Sequence, residues 1–250
     1  MTFTDAGPDD KRFGAAPRKK NASENEPNSP APASALNHMG SSDIRRQGSA
    51  STHIVAFDFD GTLSFRDSFL AFLAWRSGPL RYTLGLLRLL PGALSYLFHR
   101  DRGRLKALAT WVFLRGLPRE ELERACLDFS RSPLGRRLIR PDAEQCWREW
   151  QGRGAVLVIV TASPEEVVAP FARALGADRL IGTRLELDAD GRVTGAFASE
   201  NCRGPEKVRR LRAVFGPGME LEAAYGDTAG DREMLQLARI KGYRVFHGAR

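Results

Sequence analysis

The sequence predicts an α/β protein with a doubly wound parallel sheet and an inserted all-helical cap. Three observations predict this class. Short apolar runs alternate with helical stretches in the second half of the chain, residues 65–152 contain no convincing strand, and acidic residues directly follow two of the apolar runs. Runs that are apolar on both faces are typical of parallel strands covered by helices.

The first 52 residues are predicted to form a disordered N-terminal tail. They are rich in Pro, Ala, Ser and Asn, as in "NASENEPNSPAPASALN". Such a composition cannot bury enough apolar surface to offset the entropy of ordering. The segment has no apolar signal core, so we expect no Sec-type export and a cytoplasmic protein. Either Met1 or Met39 can serve as the start of translation.

The predicted core comprises residues 53–64 and 153–250. Dense Val, Ile and Ala, bounded by Gly or charge, mark its strands, and charged amphipathic stretches mark its helices. We expect Ser163 to cap one of these helices, with Glu165 and Glu166 in its first turn. The predicted strands are 53–59, 155–161, 221–227 and 243–246, the predicted helices are 163–175, 205–215 and 231–240, and 184–198 is a predicted hairpin with "DADG" at its turn.

The helical cap is predicted to comprise residues 65–152, between the first and second strands. An insert at this point lies over the carboxyl ends of the strands, which is where ligands bind in doubly wound sheets. The cap is therefore a natural lid over a site. Its predicted helices are 66–77, 79–99, 101–116, 118–131 and 135–151.

The charge is distributed unevenly. The chain has a formal net charge of +8, and residues 64–153 carry 17 basic and 9 acidic groups, so this region accounts for the whole excess. A basic module indicates an anionic neighbour. Nucleic acid is not the expected partner, because the basic residues are mixed with Leu, Phe and Trp and no reader motif is present. The three cysteines, which form no CxxC pair, predict free thiols in a reducing compartment.

The stretch 69–98 is very apolar, but Arg76, Arg81 and Arg88 interrupt it. No window has the ~20 predominantly apolar, charge-free residues that a membrane-spanning helix needs. Two interpretations stay open. The favoured one is a helical hairpin whose apolar faces pack inside the cap. The alternative is peripheral contact with the inner face of the membrane, with the arginines near lipid phosphates.

Carboxylates follow two of the predicted strands. Asp58 and Asp60 follow the first, and Asp227 and Asp231 follow the strand 221–227. Because parallel strands end at the same edge of a sheet, we expect these groups to lie close together. Like charges at one edge repel each other, and burial increases the cost. A hard divalent ion with oxygen ligands, Mg²⁺, would offset this repulsion.

Two further polar residues stand beside predicted strand ends. Thr161 closes the second strand in "VLVIVTAS", and Lys207 lies in the first turn of the helix that begins at "GPEKV". Each of these features alone is ordinary in an α/β protein. All of them in this order, each at a strand end or a helix start, indicate an active site.

These residues resemble the motifs of the haloacid dehalogenase (HAD) superfamily of phosphohydrolases. "DFDGT" at 58–62 matches DxDGT, Thr161 and Lys207 match the second and third motifs, and "GDTAGD" at 226–231 matches GDxxxD. The resemblance covers about residues 53–247. The helical insert between the first two motifs resembles subfamily IB, which includes phosphoserine phosphatase. The resemblance implies a HAD-like Rossmannoid core.

The resemblance also implies a chemistry, hydrolysis of a phosphomonoester with Mg²⁺ as cofactor. Asp58 would be the nucleophile that forms an aspartyl-phosphate, and Asp60 the general acid and base. The dehalogenases of the superfamily lack this second Asp, so its presence indicates phosphoester hydrolysis. The remaining implied roles are metal binding by Asp58, the Asp60 backbone carbonyl and Asp227, phosphate binding by Thr161 and Lys207, and support by Asp231.

The residues at the start of the helical cap predict the class of substrate. In "SFRDSFLAFLAW" only Asp67 is acidic, whereas phosphoserine phosphatases hold their amino acid with an acidic residue and other polar groups in this region. "DSFLAFL", "ENCRGPEKV" and the apolar hairpin resemble phosphatidylglycerophosphatase C and CicA-type proteins, which implies a phospholipid phosphomonoester such as phosphatidylglycerophosphate. The alternatives are a phosphatase of a small metabolite such as phosphoserine, a phosphotransferase, or a membrane-surface or protein-binding module with a vestigial site.

Overall fold

A five-stranded parallel sheet forms the centre of the molecule. The computed structural model describes residues 53–99 and 102–248, and the predicted tail, residues 1–52, lies outside them. The strands are β1 (Ile54–Phe57), β2 (Val156–Pro164), β3 (Arg179–Thr183), β4 (Leu185–Leu187), β5 (Val193–Phe197), β6 (Leu221–Gly226) and β7 (Ala238–Tyr243). The sheet has the order β3-β2-β1-β6-β7, and β4 and β5 pair separately as an antiparallel hairpin.

Helices cover the sheet, which confirms the predicted α/β class. Five of them lie between β1 and β2 in the chain, where the sequence predicts the helical cap. Gly78, with φ 70° and ψ 167°, interrupts the first of these at the predicted boundary between two helices. The helices are α1 (Ser68–His99), α2 (Arg102–Leu114), α3 (Arg119–Arg131), α4 (Pro133–Arg136), α5 (Pro141–Gly152), α6 (Glu165–Leu175), α7 (Pro205–Phe215) and α8 (Arg232–Gln236), and a 3-10 turn spans Ala229–Asp231.

Strand β1 is central because its residues are apolar on both faces. Val55 and Phe57 belong to a cluster that joins the sheet to the helical cap, while Ala56 packs into a second cluster on the opposite face. Phe57 is aligned with Ile159 of β2 and with Tyr225 of β6. The carboxyl ends of these strands are therefore neighbours, and the turn after β1 meets the loop after β6.

The last strand and helix differ from the sequence prediction. We expected a helix over 231–240 and a strand over 243–246, but α8 ends at Gln236 and the strand is β7, which begins at Ala238. The edge strand β7 is mostly exposed and carries charged residues, so its sequence pattern resembles that of the polar face of a helix. Pairing with β6 decides its conformation. The other edge strand, β3, was also not predicted: it has five residues, of which the first two are half-buried and the last three are buried.

The predicted role of Ser163 as a helix cap is wrong. Strand β2 continues through Pro164, so that α6 begins at Glu165 without a side-chain cap. Ser163 therefore lies at the end of a strand, fully buried. Glu165 and Glu166 do occupy the first turn of α6, as predicted.

The hairpin of β4 and β5 packs against the helical cap. The Arg192 guanidinium donates to the Gly116 carbonyl at 2.9 Å, and the Gly116 N–H donates to the Val193 carbonyl at 2.8 Å. A Cβ atom on Gly195 would lie 2.8 Å from the Cα of Trp111 on α2, so only glycine allows this approach. Within the described residues, no helix has both the length and the apolar character required to traverse a bilayer.

Candidate active site

The structure brings the predicted carboxylates to one edge of the sheet. Asp58 directly follows β1, and Asp227 directly follows β6. One carboxylate oxygen from each of Asp58, Asp227 and Asp231 lies within 4.8 Å of the others. Residues that are far apart in sequence thus meet, as the parallel sheet predicts.

Gly61 makes this convergence possible. Its φ of +85° is in the left-handed region, which favours glycine. A Cβ atom here would lie 2.3 Å from Oδ2 of Asp227, well inside van der Waals contact. The turn after β1 therefore needs glycine both for its backbone conformation and for the close approach of Asp227.

Lys207 is the cation at the centre of the cluster. It is 1 % exposed, and its Nζ donates to Asp58 Oδ1 at 2.5 Å, to Asp231 Oδ1 at 2.6 Å and to the Val160 carbonyl at 2.6 Å. Helix α7 supplies this side chain from its first turn, and the Val160 carbonyl lies in the middle of β2. All three ammonium protons therefore have acceptors, so the buried charge is fully paired.

Burial and the charge of Lys207 shift the pKa values of the carboxylates in the cluster. Burial raises the pKa of Asp58, although Lys207 opposes the effect. Burial and the neighbouring Asp231 raise the pKa of Asp227. Burial alone would raise the pKa of Asp231, but Lys207 and hydrogen bonds from Thr228 hold it below its ordinary value. Burial would also lower the pKa of Lys207, but Asp58 and Asp231 raise it.

Asp60 lies outside the carboxylate cluster. Its Oδ1 accepts a hydrogen bond from the backbone N–H of Ser68 at 2.7 Å, and its Oδ2 accepts from the Ser163 hydroxyl. Both acceptor atoms of the side chain are thus occupied by groups on α1 and β2. A ligand role for its backbone carbonyl stays a prediction.

Thr161 is fully buried at the end of β2. Its Oγ1 accepts a hydrogen bond from the Ser163 N–H at 3.0 Å, and the next residue, Ala162, lines a cavity beside the carboxylates. Phosphate binding by Thr161 stays a prediction. A second hydroxyl, that of Thr62, donates to Asp58 Oδ2 at 3.3 Å.

This cavity, of about 240 Å³, opens above the carboxylates. Besides Lys207, three cationic residues line it, and the sequence motifs do not include them. Two of them, Arg66 and Lys106, belong to the basic region 64–153 that the sequence revealed. Only the fold shows which basic residues of that region reach the cavity. The lining residues are Asp58, Asp60, Gly61, Arg66, Asp67, Lys106, Ala162, Asn201, Arg203, Lys207, Asp227, Thr228 and Asp231.

The residues present fit a divalent metal ion. Oδ1 of Asp227 is buried and has no hydrogen-bond partner among the described residues. It belongs to the cluster that it forms with Asp58 and Asp231. An unsatisfied buried carboxylate oxygen beside two other carboxylates needs a positive charge. Hard cations that prefer oxygen ligands meet this need.

The chain is similar in sequence and in fold to several known proteins. The chain is 55% identical over 195 residues to Protein CicA of Caulobacter vibrioides, covering 78% of this chain and 87% of that one. It is 31% identical over 191 residues to a phosphoserine phosphatase of Halobacterium salinarum, covering 74% and 82%. A crystal structure of a protein of unknown function from Bordetella pertussis Tohama I matches with a TM-score of 0.61 and 26% identity, covering 74% and 86%.

The family follows from a match over most of the chain. Residues 55–236 match the family model for haloacid dehalogenase-like hydrolases. This range contains the carboxylates that follow β1 and β6, as well as Lys207. The chain belongs to the haloacid dehalogenase-like hydrolases.

Proposed function

We propose that this protein is a Mg²⁺-dependent phosphomonoester hydrolase that acts through an aspartyl-phosphate on Asp58. One observation carries the proposal: Asp58, Asp227, Asp231 and Lys207 converge at the base of one cavity. This arrangement combines a nucleophilic carboxylate, a buried cation and a site for a divalent ion. These groups can support phosphoryl transfer, which depends on positioning and on charge stabilisation.

Asp58 is well placed as the nucleophile. Lys207 holds its Oδ1, and Thr62 donates to its Oδ2, so the carboxylate is fixed in orientation. Attack on phosphorus forms the Asp58–phosphate bond and breaks the bond to the leaving alkoxide. Asp58, Asp227 and the Asp60 backbone carbonyl would hold Mg²⁺, which when bound neutralises phosphate charge.

The other residues serve the transferred group and the protons. Asp60 gives a proton to the leaving alkoxide and then takes one from the water that hydrolyses the aspartyl-phosphate. Thr161 and Lys207 bind the phosphoryl oxygens, where negative charge is spread in the transition state. Asp231 keeps Lys207 in place through its 2.6 Å contact.

Turnover of 4-nitrophenyl phosphate with Mg²⁺ tests the proposal. Asp58→Asn should lower kcat by about 10³-fold or more, because an amide cannot form the covalent intermediate. Asp128→Asn is the matched control, since this carboxylate is exposed on α3 and does not line the cavity. Absence of Mg²⁺-dependent turnover by the wild-type protein would instead support a vestigial site.

For the substrate, we propose a phospholipid phosphomonoester such as phosphatidylglycerophosphate. Arg66, Lys106 and Arg203 line the cavity and favour a ligand with more negative charge than one phosphate. Asp67 accepts from the Leu70 N–H at 2.9 Å and lies 3.9 Å from Lys106. This acidic group is therefore already engaged, which argues against its holding the amino group of phosphoserine.

An exposed apolar face on α1 also supports a lipid substrate. Leu80, Leu84 and Leu87 are 73%, 51% and 55% exposed, and their spacing places them on one side of the helix. Arg81 and Arg88 are close to them in sequence, and α1 contains no acidic residue. Apolar faces flanked by basic residues are typical of helices at the surface of anionic membranes. We therefore include peripheral membrane contact through 69–98 in the proposal.

A small metabolite is the second candidate, because a relative that is 31% identical is named phosphoserine phosphatase. Release of inorganic phosphate from phosphatidylglycerophosphate and from phosphoserine decides between the two. We expect kcat/KM to favour the lipid by at least about tenfold, the effect of one charge-assisted contact. Preference for phosphoserine would contradict the lipid proposal, and phosphate that appears on an added alcohol instead of in water would indicate a phosphotransferase.

Vesicle co-sedimentation tests the membrane contact separately. The protein should bind vesicles with an anionic lipid more strongly than purely zwitterionic vesicles, and Leu84→Asp should weaken this binding. Leu134→Asp, at an exposed leucine on α4, is the matched control. Hydrolysis of 4-nitrophenyl phosphate should be unchanged in both variants. Equal binding by wild type and Leu84→Asp would contradict the contact.

A further inference from the structure

The carboxylate of Asp60 is held by two donors from different parts of the molecule. The Ser68 N–H, at the start of α1, donates to Oδ1 at 2.7 Å. The hydroxyl of Ser163, at the end of β2, donates to Oδ2. Both serines are fully buried, whereas Asp60 itself is half-buried and lines the cavity. The side chain of Asp60 therefore has a defined orientation that depends on Ser163.

Lys106 fixes the direction of the Ser163 hydroxyl proton. This lysine, on α2 of the helical cap, places its Nζ 3.3 Å from Ser163 Oγ and 3.2 Å from the Ala162 carbonyl. An ammonium group has protons to donate and no lone pair to accept. Ser163 Oγ must therefore accept from Lys106, and its single proton is directed to Asp60.

We propose that Ser163 is a positioning residue for Asp60, and that Lys106 acts on Asp60 through Ser163. The inference rests on the proposed function, in which Asp60 protonates the leaving alkoxide. Its consequence is that the helical cap takes part in the chemistry: a residue on α2 sets the donor direction of a hydroxyl in the core, which in turn orients the acid.

A comparison of two leaving groups tests this role. An alkyl phosphate such as glycerol 3-phosphate needs a proton on its leaving oxygen, whereas 4-nitrophenolate leaves readily without one. Each kcat/KM value reports only the steps up to formation of the aspartyl-phosphate, so hydrolysis of that intermediate does not affect it. The ratio of the alkyl to the aryl value also removes any change in binding that both substrates share. Ser163→Ala should lower this ratio about tenfold, a small part of what general acid catalysis contributes.

A matched control and a second variant make the test specific. Ser130→Ala also removes a hydroxyl that donates a hydrogen bond, 2.7 Å to the Leu127 carbonyl, but on α3 outside the cavity, and should leave the ratio unchanged. Lys106→Met should lower the ratio severalfold in the protein that retains Ser163. The double variant should show the same ratio as Ser163→Ala alone, because Lys106 acts through Ser163. Equal losses on both substrates, or additive effects of the two variants, would overturn the inference.

A crystal structure tests the role of Ser163 without any measurement of activity. In a crystal structure of Ser163→Ala, the Asp60 carboxylate should turn away from its wild-type orientation, while Lys207 still contacts Asp58. An unchanged Asp60 rotamer would overturn the inference. If the wild-type protein hydrolysed neither substrate, the proposed function would fail, and this structure would still decide whether Ser163 positions Asp60.

Discussion

At the scale of single residues, the site depends on one buried lysine and one glycine. Lys207 neutralises part of the negative charge of Asp58 and Asp231. Asp227 makes no ion pair among the described residues, and its Oδ1 lacks a hydrogen-bond partner. The cluster thus keeps an excess of negative charge after Lys207 is counted, and this excess is the physical basis for a metal site.

We predict that Gly61→Ala abolishes Mg²⁺-dependent activity. The added Cβ would lie 2.3 Å from Asp227 Oδ2, so the carboxylate must move out of the cluster. Gly191→Ala is the control, because Gly191 also has a positive φ, +72°, but has nothing within 4 Å of the new atom. Both variants should lose about 1 kcal/mol of unfolding free energy to backbone strain. Full activity of Gly61→Ala would show that the turn after β1 does not set the site.

We predict that Glu166→Gln stabilises the fold at neutral pH. Burial raises the Glu166 pKa from 4.5 to about 7, and its Oε2 has no hydrogen-bond partner among the described residues. Between these pH values the folded state binds more protons than the unfolded state, so wild-type stability falls as pH rises. The variant should gain about 1–3 kcal/mol, fully developed above pH 7 and absent below pH 4.5.

Urea denaturation at several pH values measures this effect. Glu120→Gln, at an exposed position of α3, should show no pH-dependent gain. A Glu166→Gln gain that stayed constant from about pH 4 to about pH 8 would rule out ionisation as its cause.

At the scale of elements, strand pairing brings the motifs together. The sequence places Asp58 and Asp227 after two apolar runs, and the register of β1 with β6 sets the strand ends side by side. Strands that are apolar on both faces were predicted well, because short runs dense in Val, Ile and Ala and bounded by Gly or charge favour buried strands. The edge strands β3 and β7 were not, because neither has a clear period-two pattern: β7 is mostly exposed, and β3 has only five residues. Pairing with a neighbour decides the conformation of both.

The hairpin of β4 and β5 makes a prediction at this scale. It packs on α2, the helix that carries Lys106, with Gly195 against the backbone of Trp111. Gly195→Ala should cost about 1–3 kcal/mol of unfolding free energy, more than Gly191→Ala, because a backbone contact cannot yield as a flexible side chain can. Thermal unfolding of both variants measures the difference. Equal losses would mean that the hairpin moves freely on α2.

At the scale of the whole molecule, metal binding should couple to stability. A ligand that binds only the folded state at about 100 times its Kd adds about 2.7 kcal/mol. Saturating Mg²⁺ should therefore raise Tm by several degrees, and Asp227→Asn should abolish most of the shift. Asp128→Asn should retain it. A shift of the same size in Asp227→Asn would place the bound ion elsewhere.

The sequence alone determined the fold class and the convergence of carboxylates at one edge of the sheet. Burial on both faces of parallel strands requires apolar runs, and two of those runs are followed by carboxylates whose mutual repulsion a nearby cation reduces. These signals are local, because each lies within a short stretch of chain. The sequence context thus predicted that Asp58 and Asp227 meet at one edge of the sheet, which the structure shows. The catalytic roles of Asp58, Asp60 and Lys207 stay predictions.

The tertiary structure alone decided which side chains surround that site. Lys106 meets Ala162 across 56 residues of sequence, and Ser163 meets Asp60 across 103. Nothing in the local pattern distinguishes this lysine from the other basic residues of the helical cap, or this serine from a helix cap. Contacts between distant segments depend on how helices pack on the sheet, and packing is a property of the whole chain.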